Sequence, residues 1–142
     1  MADIRHAIQI AANPEQVYPL VATAKGLSTW WAEDVTEANG AWDLGFFNRT
    51  TVYQLRLASS SPPNEAEWAC LSGEEWKGTA LVFRLRSGGP GTVLHFTHAG
   101  WQAETEYFVM CTTTWGELMF RIKAAAEGKG RGPLFLANGM DG

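Results

Sequence analysis

Basic residues are scarce in this chain: 11 lysines and arginines stand against 15 acids, the net charge is −4, and the cations nowhere form a run. A surface that holds nucleic acid or an anionic membrane needs clustered cations, so both are set aside as partners. No segment approaches 18 uninterrupted apolar residues, and the N-terminus has no secretory-signal pattern, so the expected location is cytoplasmic. There are only two cysteines, Cys70 and Cys111, both inside apolar patterns. Buried free thiols are the expected state, although counting alone leaves a disulfide open. The chain has no Cys-x-x-Cys pair, no helical His-x-x-x-His and no Gly-x-Ser-x-Gly elbow. Neither a metal site nor any other cofactor is expected, and no nucleophile motif is present.

What the chain has is aromatic bulk: seven tryptophans and seven phenylalanines in 142 residues. Side chains of this kind build large cores or rigid pocket walls. The length fits one domain over residues 1–142, able to bury about two-thirds of its unfolded surface. The last stretch, about ten residues, reads as a flexible tail after a Gly-rich break.

Alternation at Ile4, His6, Ile8 and Ile10 marks an opening strand. Asn13-Pro14-Glu15 is a helix start: an N-cap, a proline at the first position, an acid in the first turn. Pro19 keeps that helix short, and a second short helix carries Leu27, Trp30 and Trp31, capped near Lys25-Gly26 or Ser28. Strands then follow through Trp42, Leu44 and Phe46, through Tyr53, Leu55 and Leu57, and through Trp68 and Cys70. Ser59 to Asn64 reads as the least structured loop, and Ser72 to Glu75 as a turn. Thr79, Leu81, Phe83 and Leu85 share one face, as do Thr92, Leu94, Phe96 and His98, and the Gly-Gly-Pro-Gly link makes these two strands a hairpin. A helix over residues 104–127 closes the pattern, about 33 Å long. Its expected buried stripe is Tyr107, Met110, Cys111, Thr114, Leu118 and Ile122, with Phe108, Trp115, Met119 and Phe120 spilling onto other faces. That surplus means burial on both sides or a partner, a homodimer being one candidate.

The ordered set of pieces resembles the START-like helix-grip superfamily (SRPBCC), in particular the Hsp90 ATPase activator homologues (AHSA1-like). The resemblance covers residues 8–133 and rests on several pieces. These are Ala11 to Tyr18 at the strand-to-helix junction, Trp30-Trp31, Gly78 to Leu85 paired with Gly91 to His98, and Trp115-Gly116-Glu117-Leu118 with Ile122-Lys123 and Glu127-Gly128. It implies an α+β helix-grip fold: a strongly curved antiparallel sheet wrapped around a long C-terminal helix, with two short helices between strands 1 and 2. It also implies a cavity between sheet and helix that holds an apolar small molecule, although fold alone does not settle activity.

The residues themselves give the same leading reading. His95 and His98 lie three apart on a strand and so point to opposite faces, which removes a metal site that would also use His6. His98, facing inward, is either a core-edge histidine or a polar handle for a ligand. The sheet's inner face and the helix should enclose a pocket of about 300 Å³ or more that reaches Phe83. Expected walls are Trp31, Leu44, Tyr53, Leu55, Trp68, Leu81, Phe83, Phe96, Met110 and Leu118, with Tyr53, His98 and Thr114 as polar handles. The expected function is binding of a small apolar or aromatic, lipid-like molecule, without catalysis. The alternatives are a cochaperone-like module with a chaperone partner, and a cavity enzyme of cyclase or hydrolase type using His98 with an acid. A carrier requires an apolar cavity with few charges, a module a filled interior, an enzyme a His–acid pair facing the cavity.

Overall fold

In the computed structural model, which describes residues 1–141, the first strand β1 (Ala2–Ile10) leads into α1 (Pro14–Ala22) and α2 (Ala24–Trp30). Asn13 caps α1 in a capping box with Gln16. Pro19 does not end the helix. Its exposed ring stands off the body, and the hydrogen bond it forgoes belongs to the Glu15 carbonyl in the exposed first turn. Thr23 both ends α1 and caps α2, its hydroxyl accepting the Gly26 amide, so the cap lies before Lys25-Gly26 and Ser28. Gly26 lets the helices touch: a Cβ there would sit 2.0 Å from the Pro19 carbonyl oxygen.

The chain continues through β2 (Asp34–Ala38), β3 (Ala41–Phe46), β4 (Thr51–Ser61), β5 (Glu65–Cys70), β6 (Ala80–Gly88) and β7 (Gly91–Trp101). With β1 these form one seven-stranded antiparallel sheet of order β1-β7-β6-β5-β4-β3-β2. The edge strand β2 was not expected. Its sequence, Asp-Val-Thr-Glu-Ala, has too little alternation to show, and its charges suit an edge. The Ser59–Asn64 stretch is also more regular than expected: β4 runs on to Ser61 and pairs with β5 up to Glu65. Tyr18 holds this hairpin end to α1 through its hydroxyl, which bonds Ser60 and the Glu65 carbonyl.

The long helix α3 (Glu106–Ala126) starts at the Thr105 cap and lies against β1. Its core stripe is Phe108, Cys111, Trp115, Leu118, Met119 and Ile122, rotated from the expected one. Tyr107, Met110 and Thr114 lie on the flank instead; Met110 is 60% exposed. Six of the seven tryptophans are buried, all but Trp42, and both cysteines are buried free thiols. Where the composition reads as a loose tail, the chain turns back on the body. Leu134 is buried, and β8 (Phe135–Leu136) pairs with β9 (Gly139–Met140).

Candidate functional site

Helix α3 carries two adjacent apolar stripes, and the second has no sheet to cover it. Tyr107, Met110, Cys111, Thr114, Trp115 and Leu118 face a cavity of ≈ 300 Å³ instead. Strands β3 and β4 and the turn between them supply the opposite side, with Phe46, Phe47, Thr51 and Tyr53. Trp31 at the end of α2 and Trp76 in the β5–β6 connection close the inner end, and Phe135 and Met140 of the C-terminal segment close the outer end.

Aromatic packing makes these walls rigid. Tyr53 lies flat on Trp76, with ring centres 4.0 Å apart and planes 4° apart. Gly73 permits this: a Cβ there would come within 2.6 Å of the Tyr53 ring, and its φ of +98° is one that side chains avoid. Trp31 packs on Trp115 at 5.0 Å, and Phe135 meets Phe46 edge-on at 5.0 Å.

The polar groups in the cavity are few and neutral. The Tyr53 and Tyr107 hydroxyls hydrogen-bond to one another, and burial pushes both phenols above their ordinary range, so both stay protonated. Burial likewise pushes the Cys111 thiol up, only partly offset by the Trp76 indole and the Tyr107 hydroxyl. An unreactive thiol is the result. Thr114 donates its hydroxyl to the Met110 carbonyl of its own helix at 3.3 Å. The Trp76 indole N–H is itself sealed from the cavity: it lies near the Cys111 thiol and completes no hydrogen bond. Among the described residues no acid, histidine, lysine or arginine lines this cavity.

No family model matches the sequence, and no curated protein is significantly similar to it. Solved structures do match. The Aha1 dimer from Colwellia psychrerythraea superposes with a TM-score of 0.79 at 27% identity, over 91% of this chain and 98% of that one. An AHSA1-like protein from Aeromonas hydrophila gives 0.66 at 12% identity, over 92% and 96%. A Bacillus halodurans protein gives 0.70 at 18% identity, over 89% and 98%. The chain has the AHSA1-like helix-grip fold.

Within this AHSA1-like fold, the residues expected as walls divide into two groups. Trp31, Tyr53, Met110, Thr114 and Leu118 line the cavity. Leu44, Leu55, Trp68, Leu81, Phe83, Phe96 and His98 do not; all are buried in the packed core. The expected pocket reaching Phe83 is therefore corrected. Trp30 packs on Phe83 at 6.2 Å, Phe83 on Phe96 at 5.0 Å, and Phe96 on Trp115 at 4.3 Å, so two large indoles fill the middle of the sheet. The cavity instead opens toward β3 and β4.

His98 sits one layer behind the cavity, in contact with Trp76 at 4.6 Å. Thr79 gives its hydroxyl proton to the Trp76 carbonyl at 2.6 Å, so His98 Nε2 donates to Thr79 Oγ1 at 2.8 Å. Nδ1 accepts from Trp115 Nε1 at 3.2 Å. Both ring nitrogens are thus used by the protein, and the imidazole holds the two cavity tryptophans in place. Nothing is left over for a ligand.

Trp76, Phe135 and Met140 escaped the sequence reading. Trp76 stands alone among turn residues, Ser72 to Lys77, where no periodicity marks it as buried. The other two follow a glycine-rich stretch that signals an end rather than a return. A second, open groove crosses the outer face of β1, β7 and β6. Its cations are largely matched from within: Arg84 pairs with Glu65 at 2.8 Å and Arg5 with Asp3 at 3.6 Å.

Proposed function

We propose that the protein binds a small apolar or aromatic molecule in the cavity between α3, strands β3 and β4, and the C-terminal segment. The observation that carries this reading is the lining: aromatic walls and no charged side chain among the described residues. A volume of ≈ 300 Å³ is at the small end of ligand sites, which favours compact molecules of up to about three rings over long lipid chains. The lining also supports binding over the cavity-enzyme reading, because its titratable groups, Tyr53, Tyr107 and Cys111, are all pushed up by burial and none is poised for proton transfer near neutral pH.

The test is uptake of the neutral fluorescent probe N-phenyl-1-naphthylamine by the wild-type protein and by Thr114→Trp, in which an indole would occupy the cavity. The wild type should bind, and the variant should lose roughly tenfold or more in affinity, about 1.4 kcal/mol, with an unchanged or higher melting temperature. Equal binding by both proteins would place the probe elsewhere and end this reading.

Self-association is a second reading, favoured by Val109 and Phe120, which are 57% and 63% exposed on the outer side of α3. The likeness to the Aha1 dimer favours it too. A chaperone contact, the cochaperone-like reading, rests on that likeness alone. Sedimentation should show a dimer for the wild type and a monomer for Phe120→Glu, since a charge is not tolerated at the centre of an apolar interface. A monomeric wild type would dismiss it.

A further inference from the structure

The outer wall of the cavity is a separate piece of chain, and it is fastened unevenly. Its first half is well anchored. Leu134 is buried, the Leu134 amide donates to the Trp30 carbonyl at 3.1 Å, and the Phe135 amide donates to the Trp31 carbonyl at 2.9 Å. These bonds satisfy carbonyls at the C-terminal end of α2, which would otherwise be unpaired. The second half buries little: Met140 is 52% exposed although it lines the cavity, and β8 and β9 are two residues each. So short a hairpin has no stability of its own.

What holds this half is polar. The Asn48 amide donates to the Ala137 carbonyl at 2.7 Å, and the Ala137 amide to Glu33 Oε1 at 2.8 Å. The strongest tie is to Arg121. Its side chain is 1% exposed, and its guanidinium donates to Asp141 Oδ2 at 2.9 Å, to the Gly132 carbonyl at 3.1 Å and to Glu117 at 3.4 Å. A buried guanidinium is tolerable only with such partners, and one of the three, Asp141, belongs to the loosely held half while Gly132 lies before the anchor. Arg121 lies on α3, one turn beyond Leu118 on the cavity side, so the ion pair ties one wall of the cavity to the other.

We infer that residues 136–141 are the gate of the cavity and that the Arg121–Asp141 pair is its latch. The segment swings about its Leu134–Phe135 anchor. When it opens, Met140 leaves the mouth and Arg121 gains water in place of Asp141. Little apolar burial is lost, so the opening lies at the low-energy end of the protein's motions. This rests on the cavity reading above.

Stopped-flow uptake and release of N-phenyl-1-naphthylamine, compared between wild type, Asp141→Ala and the conservative Asp141→Glu, tests it. In Asp141→Ala the association and dissociation rates should both rise roughly fivefold or more, because a larger fraction of molecules is open, and Asp141→Glu should restore slower exchange. Hydrogen exchange supplies the second readout: the Asn48 amide, bonded to Ala137, should lose protection in Asp141→Ala while the Leu118 amide does not. Faster release with unchanged association, or unchanged protection at Asn48, would make the segment a fixed wall and overturn the gate alone. Absence of probe uptake by the wild type would overturn the cavity reading and the gate with it.

Discussion

Gly26→Ala should destabilise the protein by about 3 kcal/mol or more, although alanine is the better helix former by about 1 kcal/mol. Gly26 lies inside α2, where propensity alone favours the substitution. The added Cβ, however, would meet the Pro19 carbonyl oxygen at 2.0 Å and the Leu20 Cα at 2.6 Å. Both are backbone atoms of α1 and cannot rotate away, so the helices must separate. Separation would disturb the Trp30 indole bond to the Leu20 carbonyl, at 2.8 Å, and with it the packing of Trp30 on Phe83. Gly116, inside α3, is the control. A Cβ there meets only His6 Cε1 at 3.7 Å, an ordinary contact. Gly116→Ala should therefore stabilise by about 1 kcal/mol. Denaturant midpoints shifting in opposite directions are the expected result. If Gly26→Ala unfolds at or above the wild-type midpoint, the close approach of α1 and α2 does not exist.

The same pair of glycines shows where the sequence is legible. Strand phase was readable wherever one face is wet. Thr79, Leu81, Phe83 and Leu85, and Thr92, Leu94, Phe96 and His98, are all buried as their alternation indicates. A capped start such as Asn13-Pro14-Glu15 is likewise local chemistry, written in adjacent residues. A glycine inside a helix, by contrast, carries no mark of what lies across from it. Gly26 is fixed by α1 and Gly116 is not, and only tertiary structure separates them.

The cavity was half legible for a similar reason. Binary pattern distinguishes inside from outside, but it cannot distinguish a wall packed on another side chain from a wall facing space. Phe83 and Phe96 read as cavity walls because they face inward. They are core because Trp30 and Trp115 arrive from two different helices to cover them. Along α3 the apolar excess was visible, and Met110 and Thr114, expected both in the buried stripe and on the cavity, lie on the cavity flank together with Tyr107, which was expected in the stripe alone. A rotation of one residue, about 100° around a helix, is enough to exchange the two roles.

Acid should separate the wild type from His98→Gln more sharply than any other single change to the core. Burial holds the His98 imidazole down to about 3, against an ordinary value of 6.5, and the Asp3 charge opposes this only weakly. Protonation would place an N–H at Nδ1, directly against the Trp115 indole N–H that now donates to it. The unfolded chain takes up its proton near pH 6.5 and the folded chain does not, so between those values the unfolded state binds more protons. The contribution of His98 to stability is thus complete above pH 6.5 and is lost as the pH falls toward 3, with a slope approaching about 1.4 kcal/mol per pH unit. Glutamine at this position keeps a donor and an acceptor but does not titrate. The variant should be less stable at pH 7, because its amide reproduces the imidazole geometry imperfectly. Between pH 7 and pH 5 the wild type should lose about 2 kcal/mol more than the variant, before most carboxylates begin to protonate. His6 and His95 are common to both proteins and cancel in the comparison. Urea midpoints across this range give the difference directly, and parallel profiles for the two proteins would mean that His98 is not the buried, neutral centre that holds Trp76 and Trp115 against the cavity.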